Sequence, residues 1–365
     1  MKTKTKRIFS AVVFFIAITT AYCAYNYWGN HQEFMQIRRH SIGGNVNRTL
    51  HLMDSIAGFS NPIVNYKFQK LKKKYKNRFI LKSESNEKIS SSNIANDISS
   101  IYKDYWKREF IKQNNEDKTD SVLYKEICNY LIRNSLTKLS YDSLNKNIKN
   151  DSLLKKIIEQ AGMNCEFFFI NGFRDILIWD KQIKEEYTIQ LPNDTLNVEV
   201  VFIENYIIGG HLDYATFGEF QIGGWASETS LYCNKGTYDL SSEEFDVSYL
   251  KHEANHFIDL QKYPELSSAD LEYRSKLVEL IYCDNTIYDR LKGFIREASP
   301  ENRDYAHSYA SYILILNLSK VLFDKEFETD IKTWESISPK EINEIARDLL
   351  QISDSKLNEF STKVI

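Results

Sequence analysis

The stretch His252-Glu253-Ala254-Asn255-His256 decides how the rest of this chain is read. In an α-helix, positions four apart lie one turn apart on one face, so both imidazoles can reach a single cation. Glu253 follows the first of them and can lean over the metal's open coordination position, where it would take a proton from bound water. Zinc brings the pKa of such water to about 7, so a carboxylate is a sufficient base at neutral pH. Phe245, Tyr249, Leu250, Phe257 and Leu260 recur around the motif with apolar helical periodicity. Asp246 or Ser248 can cap the start, and Pro264 stops the segment after Lys262-Tyr263. The pattern predicts a helix buried on one side that carries both histidines.

Two histidines do not close a metal site, and the next helix offers a third ligand. Its predicted start is Ser267, whose hydroxyl and Asp270 three residues on form a variant of the capping box with Asp in place of Glu. Glu272 falls in the second turn of that helix, and Glu279 lies seven residues later on the same face. Residues 257 to 271 are enough chain to finish one helix, turn, and enter an antiparallel partner. The spacing leaves both carboxylates open as ligands.

From these residues the chain resembles the gluzincins, zinc metallopeptidases in which H-E-x-x-H is completed by a Glu on the following helix. The resemblance runs from Gly223 to His307 and implies Zn²⁺ held by two His and one Glu, a peptide or protein substrate, and a zincin-like domain. Thermolysin-like members place a small residue three positions after the ligand Glu. Glu272-Tyr273-Arg274-Ser275 fits this, and Glu279-Leu280-Ile281-Tyr282 does not. The resemblance therefore favours Glu272 as ligand, with Glu279 as the alternative. The Asp expected four residues after the ligand Glu, which orients the first His in that family, is Lys276 here. Asp259, three residues past His256 on the same helix, is the substitute expected to do that work.

Two flanking features suit peptide hydrolysis. Gly223-Gly224-Trp225 reads as part of an edge strand, or equally a bulge or turn, whose backbone an extended substrate can approach closely. Downstream, Tyr305, His307, Tyr309 and Tyr312 form a polar aromatic group on a predicted helix. From there His307 or a neighbouring Tyr would donate to the oxyanion of a tetrahedral intermediate. His211, beside Gly209-Gly210, reads as a loop residue. No G-x-S-x-G elbow, Walker A loop or G-x-G-x-x-G is present, so serine hydrolase, P-loop and Rossmann readings have no support.

Outward from the motif, the element pattern is helices, then strands, then helices, which describes an α+β protein. A mainly helical region covers 31–164, with a Ser/Asn/Glu/Lys-rich linker near 82–92. Apolar stripes within it include Ile94, Ile98, Ile101, Tyr102, Tyr105 and Trp106, then Leu123, Ile127, Tyr130 and Leu131, then Leu153, Leu154, Ile157 and Ile158 before Gly162. Near 165 short β-forming runs begin: 167–170, 176–179, 187–191 and 198–203, the last two joined by Pro192-Asn193-Asp194 as a hairpin turn. Residues 221–225 and 229–233 offer further strands. The expected domain over 165–365 is a small twisted sheet packed on helices, one of which carries the motif.

The compartment is read from the amino terminus. Lys2, Lys4, Lys6 and Arg7 precede a run from Ile8 to Trp28 without Asp, Glu, Lys, Arg or His. That charge order is an export signal, and as a helix the run would span about 30 Å, enough to cross a bilayer. Tyr22, Tyr25, Tyr27 and Trp28 close it as interfacial aromatics do, favouring a signal anchor over residues 1–30 that holds the chain to the membrane. Cleavage after Ala21-Tyr22-Cys23, or a lipid on Cys23, are the alternatives; each sends the remainder across the membrane. Cys128, Cys165, Cys233 and Cys283 could form two bridges there or stay as buried thiols, and no C-x-x-C pair suggests a thiolate zinc cluster. With 47 Lys and Arg against 50 Asp and Glu over 365 residues, no overall field points to nucleic acid.

Overall fold

The computed structural model describes residues 37, 40–59, 61–81, 92–111, 119–149, 151–170, 172–360 and 364–365. The expected leader and anchor over residues 1–30, and residues 82–91 of the expected linker, lie outside these. Among the described residues no helix is long and apolar enough to cross a membrane. The described elements are α1 (Val46–Ser55), α2 (Pro62–Tyr75) with a π-helical continuation (Lys76–Leu81), α3 (Asn93–Ile111), α4 (Thr119–Arg133), α5 (Tyr141–Asn147) and α6 (Ser152–Gln160). There follow β1 (Asn164–Ile170), β2 (Phe173–Trp179), β3 (Gln182–Gln190), β4 (Thr195–Ile203), β5 (Tyr206–Gly209), α7 (Gly210–Thr216), β6 (Gly224–Ala226) and β7 (Ser230–Asn234). After a π-helical segment (Glu244–Lys251) come α8 (His252–Lys262), α9 (Ser268–Tyr282), α10 (Ile287–Glu297), α11 (Ala306–Phe323), α12 (Ile331–Trp334) and α13 (Pro339–Phe360). The chain is an α+β protein, as its sequence pattern predicts.

It divides into two compact units that interleave in sequence. One comprises Met1–Ile158, Phe167–Ile176 and Ile208–Gln221, and the other Glu159–Glu166, Leu177–Ile207 and Ile222–Ile365. A three-stranded sheet has the order β1-β2-β5 and a four-stranded sheet the order β3-β4-β7-β6.

The first unit is built on aromatic packing. The α3 stripe buries Ile98, Tyr102, Tyr105, Trp106 and Phe110, after Ser92 caps the helix by accepting from the Ala95 amide at 3.3 Å. Trp106 lies 5.9 Å from Tyr214 of α7, and Phe110 meets Phe173 edge-on at 5.5 Å. Here the reading of His211 as a loop residue is corrected. It is buried on α7, with Nδ1 2.6 Å from Asp175 Oδ2 while its amide donates to Asp175 Oδ1. A fully buried carboxylate needs such partners, and Gly209-Gly210 starts the helix rather than marking a loop. Cys128, Cys165, Cys233 and Cys283 are buried and form no disulfide among the described residues.

In the second unit, β3 and β4 form the antiparallel hairpin, β7 runs parallel to β4, and β6 pairs antiparallel with β7 as the outer strand. Alternation along β4 and β7 turns Val198, Val200, Phe202, Leu231 and Cys233 into a core completed by Phe245, Tyr249, Leu250, Ala254, Phe257, Tyr273 and Leu277. The helix of the motif starts earlier than Asp246 or Ser248. Ser242 accepts from the Phe245 amide, and a π-helical stretch leads without a break into α8 at His252. The next helix, α9, packs against α8, α11 and α13 and is buried nearly all round.

Candidate metal centre

The helix α9 is the centre of the site because it carries five buried charged residues, Asp270, Glu272, Arg274, Lys276 and Glu279. Buried charges are tolerated when paired, and each of these meets a partner from a different direction. Glu272 and Glu279 face α8, as their shared face predicts.

Three groups come together. His252 Nε2 and His256 Nε2 are 3.0 Å apart, Glu272 Oε1 is 3.3 Å from His256 Nε2, and Glu272 Oε2 is 3.6 Å from His252 Nε2. His252, His256 and Glu272 thus form a set whose ligand atoms lie within 4.8 Å of one another. Glu279 takes a different position: its Oε1 is 2.7 Å from His252 Nδ1. Of the two glutamates left open by the spacing, Glu272 meets the ring nitrogens that face each other and Glu279 grips one ring from behind.

The two Nδ1 atoms fix what the Nε2 atoms are. An ionised Glu279 only accepts, so His252 Nδ1 donates to it and leaves the Nε2 lone pair pointing inward. Ser275 does the same for His256. Its hydroxyl donates to the His252 carbonyl oxygen at 3.1 Å, so toward His256 Nδ1, 3.2 Å away, it can only accept. Asn255 Nδ2 also donates to Ser275 Oγ, at 3.2 Å. Two lone pairs facing each other at 3.0 Å repel unless a proton or a metal ion lies between them. Ligands about 2.0 to 2.2 Å from a tetrahedral centre stand roughly 3.3 to 3.6 Å from one another; the two contacts of the Glu272 carboxylate oxygens lie in that range, and the two Nε2 atoms, at 3.0 Å, would move slightly apart around an ion.

Charge balance points the same way. Glu253, Glu272, Glu279 and Glu297 face two permanent cations, Lys276, 2.9 Å from Glu297 Oε1, and Arg290, whose Nε is 3.4 Å from Glu279 Oε2. Protons make up part of the difference. Burial alone would lower the pKa of His256, but its bond to Glu272 and the charges of Glu272, Glu253 and Asp259 raise it to about 9. The Glu272 charge raises His307 in turn. Burial would raise both Glu272 and Glu279, yet His307 and His256 hold Glu272 well below the usual carboxylate range, and His252 and Arg290 hold Glu279 below it. Glu272 Oε2 and Glu279 Oε2 are buried and each has one cationic neighbour, His307 Nδ1 at 2.8 Å and Arg290 Nε at 3.4 Å, which leaves each oxygen lone-pair capacity in the site.

The remaining sequence candidates divide. Glu253, half-buried on α8, takes part in no hydrogen bond or ion pair among the described residues. His307, in the first turn of α11, has a side chain 68% exposed and places Nδ1 2.8 Å from Glu272 Oε2. Its tyrosine neighbours turn elsewhere: Tyr309 lies under Arg303, and Tyr312 stacks on Phe327. Gly224 and Trp225 belong to the outer strand β6, which packs on α8, while the Gly223 carbonyl accepts from the Asn234 amide at 2.8 Å. A Cβ on Gly224 would run into the Tyr249 ring and come within 2.6 Å of the Tyr232 carbonyl oxygen.

Asp259 does not orient a histidine. It takes a two-pronged contact from Arg274, Nε to Oδ2 at 2.7 Å and Nη2 to Oδ1 at 3.0 Å, plus Asn255 Nδ2 at 2.9 Å. Three residues past His256, it points around the helix toward α9 and α13, where Arg274 also meets Ser353 and Asp354. The sequence points to no hydrogen bond from Ser275 to His256, no role for Arg290 and no pairing of Lys276 with Glu297. The available signal was α9 itself, whose charges at 270, 272, 274, 276 and 279 occupy no single polar face.

Comparison with protein-family models, with curated proteins and with solved structures finds no match to this chain.

Proposed function

We propose that this protein is a zinc-dependent peptidase of the cell envelope. One observation carries the reading: the ligand atoms of His252, His256 and Glu272 converge within 4.8 Å of one another, and Glu253, whose charge acts on His256, makes no hydrogen bond or ion pair among the described residues. When bound, a zinc ion supplies Lewis acidity and a water of lowered pKa. His252, His256 and Glu272 would hold it, while Glu279 and Ser275 keep each ring turned with Nε2 inward. Glu253 takes a proton from the attacking water and passes it to the leaving amine nitrogen. His307, exposed beside Glu272, donates to the oxyanion that develops on the scissile carbonyl. The outer strand β6 runs beside α8 and offers its backbone to an extended peptide. A small sheet over the α8–α9 pair, with that edge strand along α8, favours a zincin-like architecture for the second unit. The charge order of residues 1–28 supports an exported chain, anchored by the apolar segment or released from it.

The test is cleavage of a mixed quenched-peptide library by full-length protein and by Glu253→Gln. General acid–base catalysis contributes about 10²- to 10⁴-fold, so the variant is expected to lose at least 100-fold in kcat with unchanged zinc content. Equal cleavage by both proteins would refute the reading. Stoichiometric zinc without any cleavage would instead make the chain a binding or structural protein of the envelope on a metallopeptidase scaffold.

A further inference from the structure

We propose that the outward face of α2 docks on an anionic lipid surface, a role independent of the metal centre. The segment from Pro62 to Leu81 contains seven lysines and arginines and no acidic residue. Several are engaged. Lys72 and Lys76 each reach Asp54 Oδ1 at 2.9 Å, Arg78 stacks 4.0 Å from the Phe217 ring and donates to the Tyr214 carbonyl, and Lys74 also lies over Phe217. Lys67, Lys70 and Lys73 occupy exposed positions, and Lys67 also has a partner. They share one helical stripe with Ile63 and Tyr66, which are 53% and 67% exposed. Past the far end of α2, Ile80 and Leu81 are 52% and 66% exposed. The core takes the opposite stripe, Val64, Phe68, Leu71 and Tyr75, so packing within the unit does not account for these outward apolar side chains.

Cations alone would fit any polyanion. Nucleic acid or an acidic polysaccharide would gain stacking from Tyr66 alone and nothing from the aliphatic Ile63, Ile80 and Leu81, whereas a bilayer interface accommodates both sets. Apolar tips enter the boundary of headgroups and acyl chains, and lysines extend along them to reach the phosphates. On the proposed reading of residues 1–30 as an anchor the chain is already held at a bilayer, and 33 residues separate Trp28 from Pro62.

The experiment uses full-length protein with Cys23→Ala and Tyr66→Cys. The other four cysteines are buried, so a nitroxide label goes to position 66. The labelled chain is assembled with nanodiscs of phosphatidylcholine, with or without one-third phosphatidylglycerol. Accessibility to oxygen and to an aqueous nickel chelate is then read by spin resonance. The label is expected to face lipid in anionic discs, to face water in neutral discs, and to return to water in molar salt. Each lysine is worth about fivefold in partitioning, so joint Lys67→Glu, Lys70→Glu and Lys73→Glu should weaken docking by at least 100-fold. The matching Gln set should give an intermediate loss and covers the case in which the Glu set fails to fold. A label at the exposed position 352 should remain aqueous throughout. The proposal is overturned if position 66 stays aqueous in anionic discs, if it is equally lipid-facing in neutral ones, or if a folded charge variant docks like the parent.

Discussion

Both imidazoles of the cluster surrender Nδ1 to an acceptor, and this governs their response to protons and metal. In the metal-free protein His256 is raised to about 9, so its contribution to stability is fully present below about pH 6.5 and is lost as pH climbs through 9. Glu272 and Glu279 are lowered, so theirs is present above the ordinary carboxylate pKa of about 4.3 and is lost as pH falls through the folded-state values. Chelated protein should therefore show its highest Tm between roughly pH 4.5 and 6.5, with a decline on both sides in a calorimetric pH series. Zinc competes with the proton on His256, so apparent zinc affinity should rise by up to tenfold per pH unit toward pH 9. A pH-independent affinity would contradict this assignment. Sequence spacing shows that His252 and His256 share a face, but not which of Glu272 and Glu279 reaches the inner nitrogens. Both lie on one face of α9, and the choice depends on how α9 sits against α8. The two differ in what their loss should do. Glu279→Gln should cost zinc affinity about 10- to 100-fold, as removal of a supporting partner does, and Glu272→Gln more than that by competition titration.

The helix pair α8 and α9 and the strand β6 are each legible to a different degree. Apolar periodicity and Pro264 locate α8, yet its entry through a π-helical stretch leaves no mark that capping rules detect. Ser267 is the expected cap of α9 and accepts from the Asp270 amide at 3.3 Å. Asp270 does not complete the capping box: its Oδ1 accepts the amides of Val364 and Ile365, and its Oδ2 pairs with Arg303. Sequence-distant partners of that kind are invisible to local rules. In β6, Gly224 is required by contact, because Tyr249 and the Tyr232 carbonyl fill the space a side chain would need. Gly224→Ala should destabilise the protein by about 1 to 3 kcal/mol through overpacking, measured by denaturant unfolding. It should also lower peptide cleavage, since β6 would move off α8. Wild-type stability in this variant would show that the strand can shift without cost.

The second unit is tied together by a buried ionic lattice as well as by its apolar core. Arg274 on α9 links Asp259 of α8 to Ser353 and Asp354 of α13, and Lys276 links α9 to Glu297 at the end of α10. The sequence order of helices, strands and helices is enough for the α+β class. It cannot show the interleaving of the two units, which depends on where the chain leaves and re-enters each. Nor can it show that Lys276 belongs with Glu297 or Asp259 with Arg274. Removing one partner of a buried pair costs about 3 to 5 kcal/mol, so Asp259→Ala should lower unfolding free energy on that order. It should leave zinc affinity within a few-fold of wild type, since Asp259 touches neither ring, which is the reverse of the effect expected for Glu279→Gln. The central claim is that His252, His256 and Glu272 hold a metal ion, and the direct test is elemental analysis of purified full-length protein beside its His256→Ala variant. One equivalent of zinc per chain in the wild type and less than a tenth in the variant is the predicted result. No bound metal in the wild type, or equal metal in both, would contradict it.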